Sequence, residues 1–343
     1  MTTWRFSGVR LPDGVEDRVD VGSGAVQELP GRFALTGLVD AHCHLTVASD
    51  DAGPYLADRD FGVRRLAELA GSGVTVVRDV GGLGTVTLDL ARVAEPGRPL
   101  VTAAGRFLSS RAHYFPRMYT PVDAEELDAA IRAEVAAGAA WVKLVGDFPR
   151  AVDGVFQPDS TEPTYDPETV RRAVATAHAA GARVAVHTQS PYAADLVAAG
   201  ADSIEHGTHL EPEDLIALGA RGGAWTPTMS AVLALKPDAS DRRRNSVAEQ
   251  SERYAVLLPR AVRAGVRILA GSDVVGSVAA EIGLLVEHGL TPEQALDAAT
   301  RSARDYLGVD PVGDLVTYDA DPREHPEVLA GPAAVVVRGE RVR

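Results

Sequence analysis

Two histidines separated by one residue stand at the end of an apolar run, in the segment GLVDAHCHLTV at residues 37–47. Because side chains alternate between the two faces of a β-strand, His42 and His44 would point in one direction and Cys43 in the other. Burying two adjacent imidazoles is costly unless they have polar partners. Imidazole nitrogens are common ligands of zinc and of other divalent metals. The pair therefore indicates the beginning of a metal site.

Further along the chain, two charged residues lie inside or directly after apolar runs, and they would also need partners if buried. Lys143 lies within WVKLVG, and Asp273 directly follows ILAGS. A buried lysine must find a counter-charge, lose its proton or be chemically modified, and a buried carboxylate also needs a partner. Divalent cations would satisfy these groups together by supplying positive charge. With the histidines that end two further apolar runs, the candidate set is His42, His44, Lys143, His187, His206 and Asp273.

An alternating pattern predicts the elements that carry these residues. Helix-like stretches repeatedly run into glycine, and a short run rich in Val, Ile and Thr then begins, as in AHAAGARVAVHT at 177–188. Glycine suits the left-handed residue that ends a helix, and β-branched residues suit strands. Uniformly apolar strands alternating with helices indicate an α/β fold, a parallel (β/α)8 TIM barrel, in which active sites lie at the C-terminal ends of the strands. Strands are predicted near residues 36–44, 74–79, 100–104, 141–146, 183–188, 203–207, 224–229 and 268–273.

Helix start signals precede several of the predicted helices. Asp123-x-x-Glu126 has the pattern of a capping box, and Asp166-Pro167 that of an N-cap followed by proline. Thr291-Pro292-x-Gln294 combines both signals. These signals support the helical half of each βα unit.

The two ends of the chain fall outside the barrel pattern. Residues 1–33 and 312–343 are rich in Gly, Pro, Asp and alternating Val. We expect them to pair into one small, abbreviated β-sheet domain, with the barrel occupying 34–311.

Composition and charge exclude several classes of function. The net charge is −14 over 343 residues, so a nucleic acid or an anionic membrane surface is not an expected partner. The single cysteine excludes an internal disulfide and fits a reducing compartment. No run has the length of a membrane span, and the N-terminus lacks the pattern of a signal peptide. We expect a cytoplasmic protein that acts on a small molecule.

Across nearly its whole length the sequence resembles the amidohydrolase superfamily, and within it the branch of metal-dependent prolidase-like dipeptidases, imidazolonepropionases and related amide hydrolases. The resemblance implies a binuclear hydrolase of amide C–N bonds, and many relatives are homo-oligomers. The segments that carry it are GLVDAHCHL, GVTVVRDVGG, WVKLVG, RVAVHT, DSIEHGTHL, RGGAWTPTMSA, AGVRILAGSDV, HGLTPEQALDAATRSARDYLG and VGDLVTYDADP.

The resemblance also implies a role for each candidate. His42 and His44 would bind the first of two divalent ions, with Asp273 as a further ligand and proton shuttle. Lys143 would be carboxylated by carbon dioxide, and its carbamate would bridge the ions. His187 and His206 would bind the second ion. Asp273, Lys143 and His206 are the expected catalytic residues. Zinc is the expected metal, although these ligand types also accept Mn, Co, Ni or Fe.

The loop after the third predicted strand, SSRAHYFPRMYTP, departs from the glycine- and histidine-rich loop that is frequent in relatives. Arg and Tyr side chains near the mouth of the site would suit a substrate carboxylate. The resemblance makes His113 the first candidate for contact with the substrate carbonyl. The expected substrate-binding residues are His113, Tyr114, Arg117, Tyr119, Tyr165 and His209.

Three alternative functions are compatible with parts of this pattern. Hydrolysis of a lactone, ester or phosphoester would use the same two ions, and nothing in the sequence excludes it. A mononuclear deaminase would not need Lys143 and usually carries His-x-x-Glu after the sixth strand, where this chain has Glu205-His-Gly-Thr-His209, so deamination is disfavoured. A non-enzymatic binding protein would be expected to have lost ligands, and none is missing.

Overall fold

Short buried strands alternate with helices through the middle of the chain, as the repeated pattern predicts. The computed structural model describes residues 2–50, 52–152 and 155–343. No helix in these ranges is long and apolar enough to cross a membrane. The strands are β1 (Thr2–Arg10), β2 (Val15–Gly22), β3 (Ala25–Glu28), β4 (Phe33–Leu35), β5 (Leu38–Cys43), β6 (Val47–Asp50), β7 (Gly53–Leu56), β8 (Val74–Asp79), β9 (Leu100–Ala103), β10 (Phe107–Leu108), β11 (Trp141–Val145), β12 (Asp147–Val152), β13 (Val155–Pro163), β14 (Arg183–Thr188), β15 (Ser203–His206), β16 (Ala224–Thr226), β17 (Arg267–Ile268), β18 (Leu315–Tyr318), β19 (Ala334–Val337) and β20 (Glu340–Arg341). The helices are α1 (Arg59–Gly71), α2 (Gly84–Ala91), α3 (Leu127–Ala136), α4 (Pro167–Ala179), α5 (Ala193–Ala198), α6 (Pro212–Ala220), α7 (Met229–Val232), α8 (Asp241–Arg263), α9 (Val278–Glu287), α10 (Pro292–Ala298) and α11 (Arg301–Leu307).

The central strands form two parallel sheets. One has the order β5–β8–β9, and the other has the order β10–β11–β14–β15–β16–β17. Individual backbone hydrogen bonds join their edges: Ala140 N donates to Ala103 O at 3.1 Å, and Ala41 N donates to Ala270 O at 2.8 Å. Each of the eight predicted strands overlaps an observed one. The last is shorter than predicted, because after Ile268 the chain makes single backbone bonds to β5 rather than a ladder.

The helix start signals were confirmed at two of three positions. The Asp166 carboxylate accepts from Thr169 N at 2.9 Å, and Thr291 and Gln294 form a reciprocal capping box. The Asp123 prediction is wrong. A backbone turn occupies the residues after Asp123, and α3 begins one residue after Glu126, which acts as an N-cap without a side-chain bond.

Strands from both ends of the chain meet in one further sheet. Its order is β2–β1–β4–β18–β19–β20, with β3 paired to β1. The two ends are joined where β4 pairs antiparallel with β18, so that Leu35 lies opposite Val316. The division into domains at residues 33/34 and 311/312 stays a prediction.

A buried arginine connects the last helix to this terminal sheet. Arg304 of α11 donates to the Thr36 carbonyl at 2.9 Å, to the Thr75 hydroxyl at 2.5 Å and to the Asp314 carboxylate at 3.0 Å. Its side chain is 3% exposed and that of Asp314 is 5% exposed. Removing one partner of such a buried pair leaves an uncompensated charge.

We therefore expect Arg304→Ala to lower the free energy of unfolding by about 3–5 kcal/mol. Arg301→Ala is the matched control, because Arg301 lies on the same helix and also forms ion pairs, with Asp13 and Asp297, but is 58% exposed. The control substitution should lower the free energy of unfolding by at most about 1 kcal/mol. Urea titration followed by tryptophan fluorescence measures both, and equal losses would contradict the role given to Arg304.

Candidate metal centre

Six side chains from the ends of five strands line one cavity of about 320 Å³. The imidazole centroids are 5.2 Å apart for His42 and His44, 5.1 Å for His42 and His206, and 4.5 Å for His187 and His206. All six predicted candidates are among the lining residues: His42, His44, Lys143, His187, His206 and Asp273.

Two of these residues have an unusual backbone conformation. His206 at the end of β15 has φ = 65°, and Asp273 after β17 has φ = 56°. Non-glycine residues rarely adopt positive φ, and such strain persists where the surrounding structure enforces it. Asp273 N is held by the His42 carbonyl at 2.7 Å. The chain therefore turns sharply at two strand ends, and both side chains turn into the cavity.

Hydrogen bonds determine which ring nitrogen of His44 and His206 faces the cavity. His44 Nδ1 lies 2.7 Å from the Gly81 carbonyl, which can only accept, so Nδ1 carries the proton. His206 Nδ1 lies 2.7 Å from the Thr228 hydroxyl, which donates its own hydrogen to the Pro227 carbonyl at 2.8 Å and so accepts from the imidazole. In both rings Nε2 keeps a free lone pair, which a metal ligand requires.

A buried ion pair determines which ring nitrogen of His42 faces the cavity. Its Nδ1 lies 2.6 Å from a carboxylate oxygen of Glu205, and Glu205 pairs with Arg78 at 2.9 Å. The Arg78 guanidinium also lies 4.6 Å from the centroid of the Trp141 ring. Burial would raise the pKa of Glu205, but the Arg78 charge and the bond to His42 hold it well below its usual range. An anionic Glu205 therefore accepts from Nδ1–H and leaves Nε2 of His42 free.

Arg78 and Glu205 were not singled out from the sequence. Both are charged residues in uniformly buried strands, in VTVVRD of β8 and SIEH of β15. A charged residue within a buried strand is the signal that identified Lys143, and the same signal could have identified Arg78 and Glu205.

The protonation states fit a metal. Burial lowers the pKa of His42 to about 4 and that of His206 to about 3, and holds that of His187 well below its usual value. Neutral imidazole is the form that coordinates metals. Three potential ligand atoms, one each from His42, His206 and Asp273, lie within 4.8 Å of one another. The sequence had assigned His206 to the second ion, yet here it lies in the same group as two expected ligands of the first.

Lys143 has a buried polar atom without a partner in the described part of the chain. Its Nζ is buried and makes no hydrogen bond, and burial lowers the pKa of the amine to about 8. A buried amine without a partner is costly. An unmodified Lys143 therefore leaves a buried amine unsatisfied among the described residues.

Of the expected substrate-binding residues, only Tyr114 lines the cavity in the described part of the chain. Arg117 is held by Asp50 at 2.6 and 2.9 Å. His113 lies 2.8 Å from Glu162. Three others bond away from the cavity: Tyr119 donates to the Ser110 carbonyl, Tyr165 donates to the Val122 carbonyl, and His209 contacts the Thr208 hydroxyl.

Comparison with known proteins assigns the family. The model of the amidohydrolase family matches residues 33–342. The chain belongs to the amidohydrolase family. An uncharacterized protein of Mycobacterium bovis is similar to this amidohydrolase, with 31% identity over 359 residues that cover 97% of this chain and 94% of the relative.

Solved structures show the fold of this amidohydrolase. A Xaa-Pro dipeptidase with bound methionine in its active site has a TM-score of 0.79 and 23% identity, covering 99% of each chain. A prolidase in complex with N-methylphosphonate-L-proline has a TM-score of 0.79 and 22% identity, covering 100% of this chain and 99% of that one. Family and neighbours together give a TIM-barrel-type α/β fold with a terminal β domain, and the family makes the protein a hydrolase.

Because Glu205 orients His42, we expect Glu205→Gln to weaken binding of a divalent metal by about 10–100-fold. The amide keeps the volume but loses the charge that fixes the imidazole. Glu134→Gln is the control: Glu134 pairs with Arg106 at 2.6 Å and does not line the described cavity. Competition with a chromophoric chelator measures both affinities. Unchanged affinity in Glu205→Gln would show that the ion pair does not act on the site.

Proposed function

We propose that this amidohydrolase is a binuclear metal-dependent enzyme that hydrolyses an amide C–N bond in a small molecule. The candidate substrates are dipeptides, N-acyl amino acids and cyclic amides. The observation that carries the proposal is the unpartnered Lys143 Nζ, which lines the same cavity as four histidines and Asp273. A hydrolase with one ion would have no need of a buried lysine there.

The chemistry of Lys143 suits carbamate formation. An amine with a pKa of about 8 has a reactive neutral fraction near neutral pH. Its nitrogen would attack the carbon of carbon dioxide, forming an N–C bond and releasing one proton. The product places two carboxylate oxygens where the unmodified side chain offers only a donor.

The remaining ligands divide around the modified lysine. His42, His44 and Asp273 would hold one ion, and His187 and His206 the other, since the His206 ring centroid lies nearer to that of His187 (4.5 Å) than to that of His42 (5.1 Å). The carbamate of Lys143 would be a ligand of both ions. Zinc fits this donor set, as do Mn, Co, Ni and Fe. When bound, the ions would supply Lewis acidity and a water whose pKa is about 7 instead of 15.7.

Asp273 is the proposed proton carrier. Burial would raise its pKa, but the neighbouring His44, His42 and His206 hold the pKa well below its usual range. Its side chain is 21% exposed, and one carboxylate oxygen lies 3.3 Å from His44 Nε2. An anionic carboxylate that reaches the cavity can accept the proton of the attacking water and pass it to the leaving nitrogen.

The prediction for the carbamate uses the small number of lysines, because the chain contains only Lys143 and Lys236. Protein incubated with ¹³C-bicarbonate should show a lysine carbamate resonance in ¹³C NMR, apart from any carbamate of the N-terminal amine. We expect Lys143→Ala to lose the lysine resonance and Lys236→Ala to keep it. A spectrum of Lys143→Ala identical to that of the wild type would contradict the bridging role.

Metal content tests the binuclear assignment separately. Metal-loaded wild-type protein should bind about two equivalents of a divalent ion by elemental analysis. We expect Lys143→Ala to retain at most one and to lose at least about 100-fold in turnover of an amide substrate, whereas Lys236→Ala should match the wild type. One equivalent in the wild type would favour a mononuclear site, and two with full turnover in Lys143→Ala would exclude Lys143 as the bridge.

A further inference from the structure

The cavity wall away from the metal ligands is built from aromatic rings. Tyr114, Phe115 and Phe148 line it, and their ring centroids lie 5.0–5.3 Å apart. Phe156 of β13 supports Phe115 and Phe148 from behind, with its centroid 5.3 Å from each. Edge-to-face contacts of this kind form a firm apolar surface. The volume of about 320 Å³ lies at the small end of small-molecule sites.

Two arginines near this region are held by carboxylates of the protein. Arg117 makes two bonds to Asp50, and its guanidinium lies 5.0 Å from the Tyr55 ring centroid. Arg106 donates to Glu134 at 2.6 Å. Among the described residues that line the cavity, Lys143 is the only one of the Lys and Arg type.

Negative charge lies close to the same wall. The backbone of Gln189, which lines the cavity, donates to the buried carboxylate of Asp147 at 2.8 Å. Asp273 adds a second carboxylate to the lining of the cavity. A substrate carboxylate seated on this wall would have no cationic side chain beside it and would lose its hydration, which is costly.

We infer that the site selects a neutral amide with an apolar, preferably aromatic, group, and disfavours amides that carry a free carboxylate beside the scissile bond. This inference rests on the proposed amide hydrolysis. Of the proposed substrate classes, it favours cyclic and other uncharged amides over dipeptides and N-acyl amino acids. It therefore differs from the expectation, drawn from the loop sequence, that the substrate carries a carboxylate.

The test uses two amides that differ only in one carboxylate: 3-phenylpropanoylpyrrolidine and 3-phenylpropanoyl-L-proline. With metal-loaded enzyme, kcat/KM should be at least tenfold higher for the pyrrolidine amide. A preference for the proline compound would overturn the inference. Calorimetric titration of the same two compounds gives a second readout, in which the pyrrolidine amide should bind at least tenfold more tightly.

The second readout separates the two proposals. If neither compound is hydrolysed but the pyrrolidine amide binds more tightly, the amide-hydrolase proposal fails for these substrates and the neutral-ligand inference stands. If both are hydrolysed with equal kcat/KM, the hydrolase proposal stands and the inference fails.

A charge introduced at the cavity mouth provides a variant that does not disturb the core. Val275 lines the cavity and is 68% exposed. Val275→Arg should raise kcat/KM for the proline compound about tenfold relative to the pyrrolidine amide. Ile216→Arg is the matched control, since Ile216 is 64% exposed on α6 and does not line the described cavity. An unchanged ratio in Val275→Arg, or an equal shift in the control, would contradict the inference.

Discussion

The ion pair between Arg78 and Glu205 lies beneath the cavity and is completely buried, with both side chains 0% exposed. Two charges removed from water are tolerated only when each has a partner and further hydrogen bonds. Glu205 meets this condition with Arg78, the His42 imidazole and the Ser203 hydroxyl at 2.5 Å. Because His42 is one of those partners, the hydrogen bond that satisfies the buried charge of Glu205 also orients a candidate metal ligand. The stability of the strand ends and the chemistry of the site therefore depend on one network.

A second buried carboxylate supports the opposite side of the site. Glu281 of α9 accepts from the backbone N–H groups of Met229 and Ser230 at 2.9 and 2.7 Å. These residues directly follow Thr228, which has φ = 48° and whose hydroxyl accepts from His206. Glu281 thus holds the turn that presents Thr228 in a conformation few side chains adopt. Positive φ values occur at His206, Thr228 and Asp273, where strands end. The turn after Thr228 is held by hydrogen bonds to a helix, and Asp273 by a hydrogen bond to the strand residue His42.

The polar residues at the strand ends could be located from the sequence, because burial constrains both the residue types of a strand and the alternation of its side chains. Each of the six candidates interrupts an apolar run, where a buried polar group needs a specific partner. The loops carry no comparable constraint. Arg117 and His113 have the residue types of a carboxylate site, yet they bond to Asp50 and Glu162, which come from separate hairpins. Nothing in the order of residues along one loop reveals that a carboxylate from another loop will pair with its arginine. The same limit explains why Phe148, on a hairpin predicted by no pattern, was missed as a cavity residue.

The candidate metal ligands and the aromatic wall lie on different parts of the molecule. The candidate ligands belong to strand ends, and three of them, His42, His44 and His206, are held by hydrogen bonds on the side away from the cavity. The opposite wall comes from two antiparallel hairpins, β6–β7 and β12–β13, and the loop that carries Tyr114. Ion pairs between these segments, such as Arg117 with Asp50, cross from one loop to another and leave the aromatic rings to face the cavity. A change of substrate could thus be achieved by exchanging residues in the hairpins while the network around Glu205 stays intact, which is the division that barrel enzymes use to support many reactions on one scaffold.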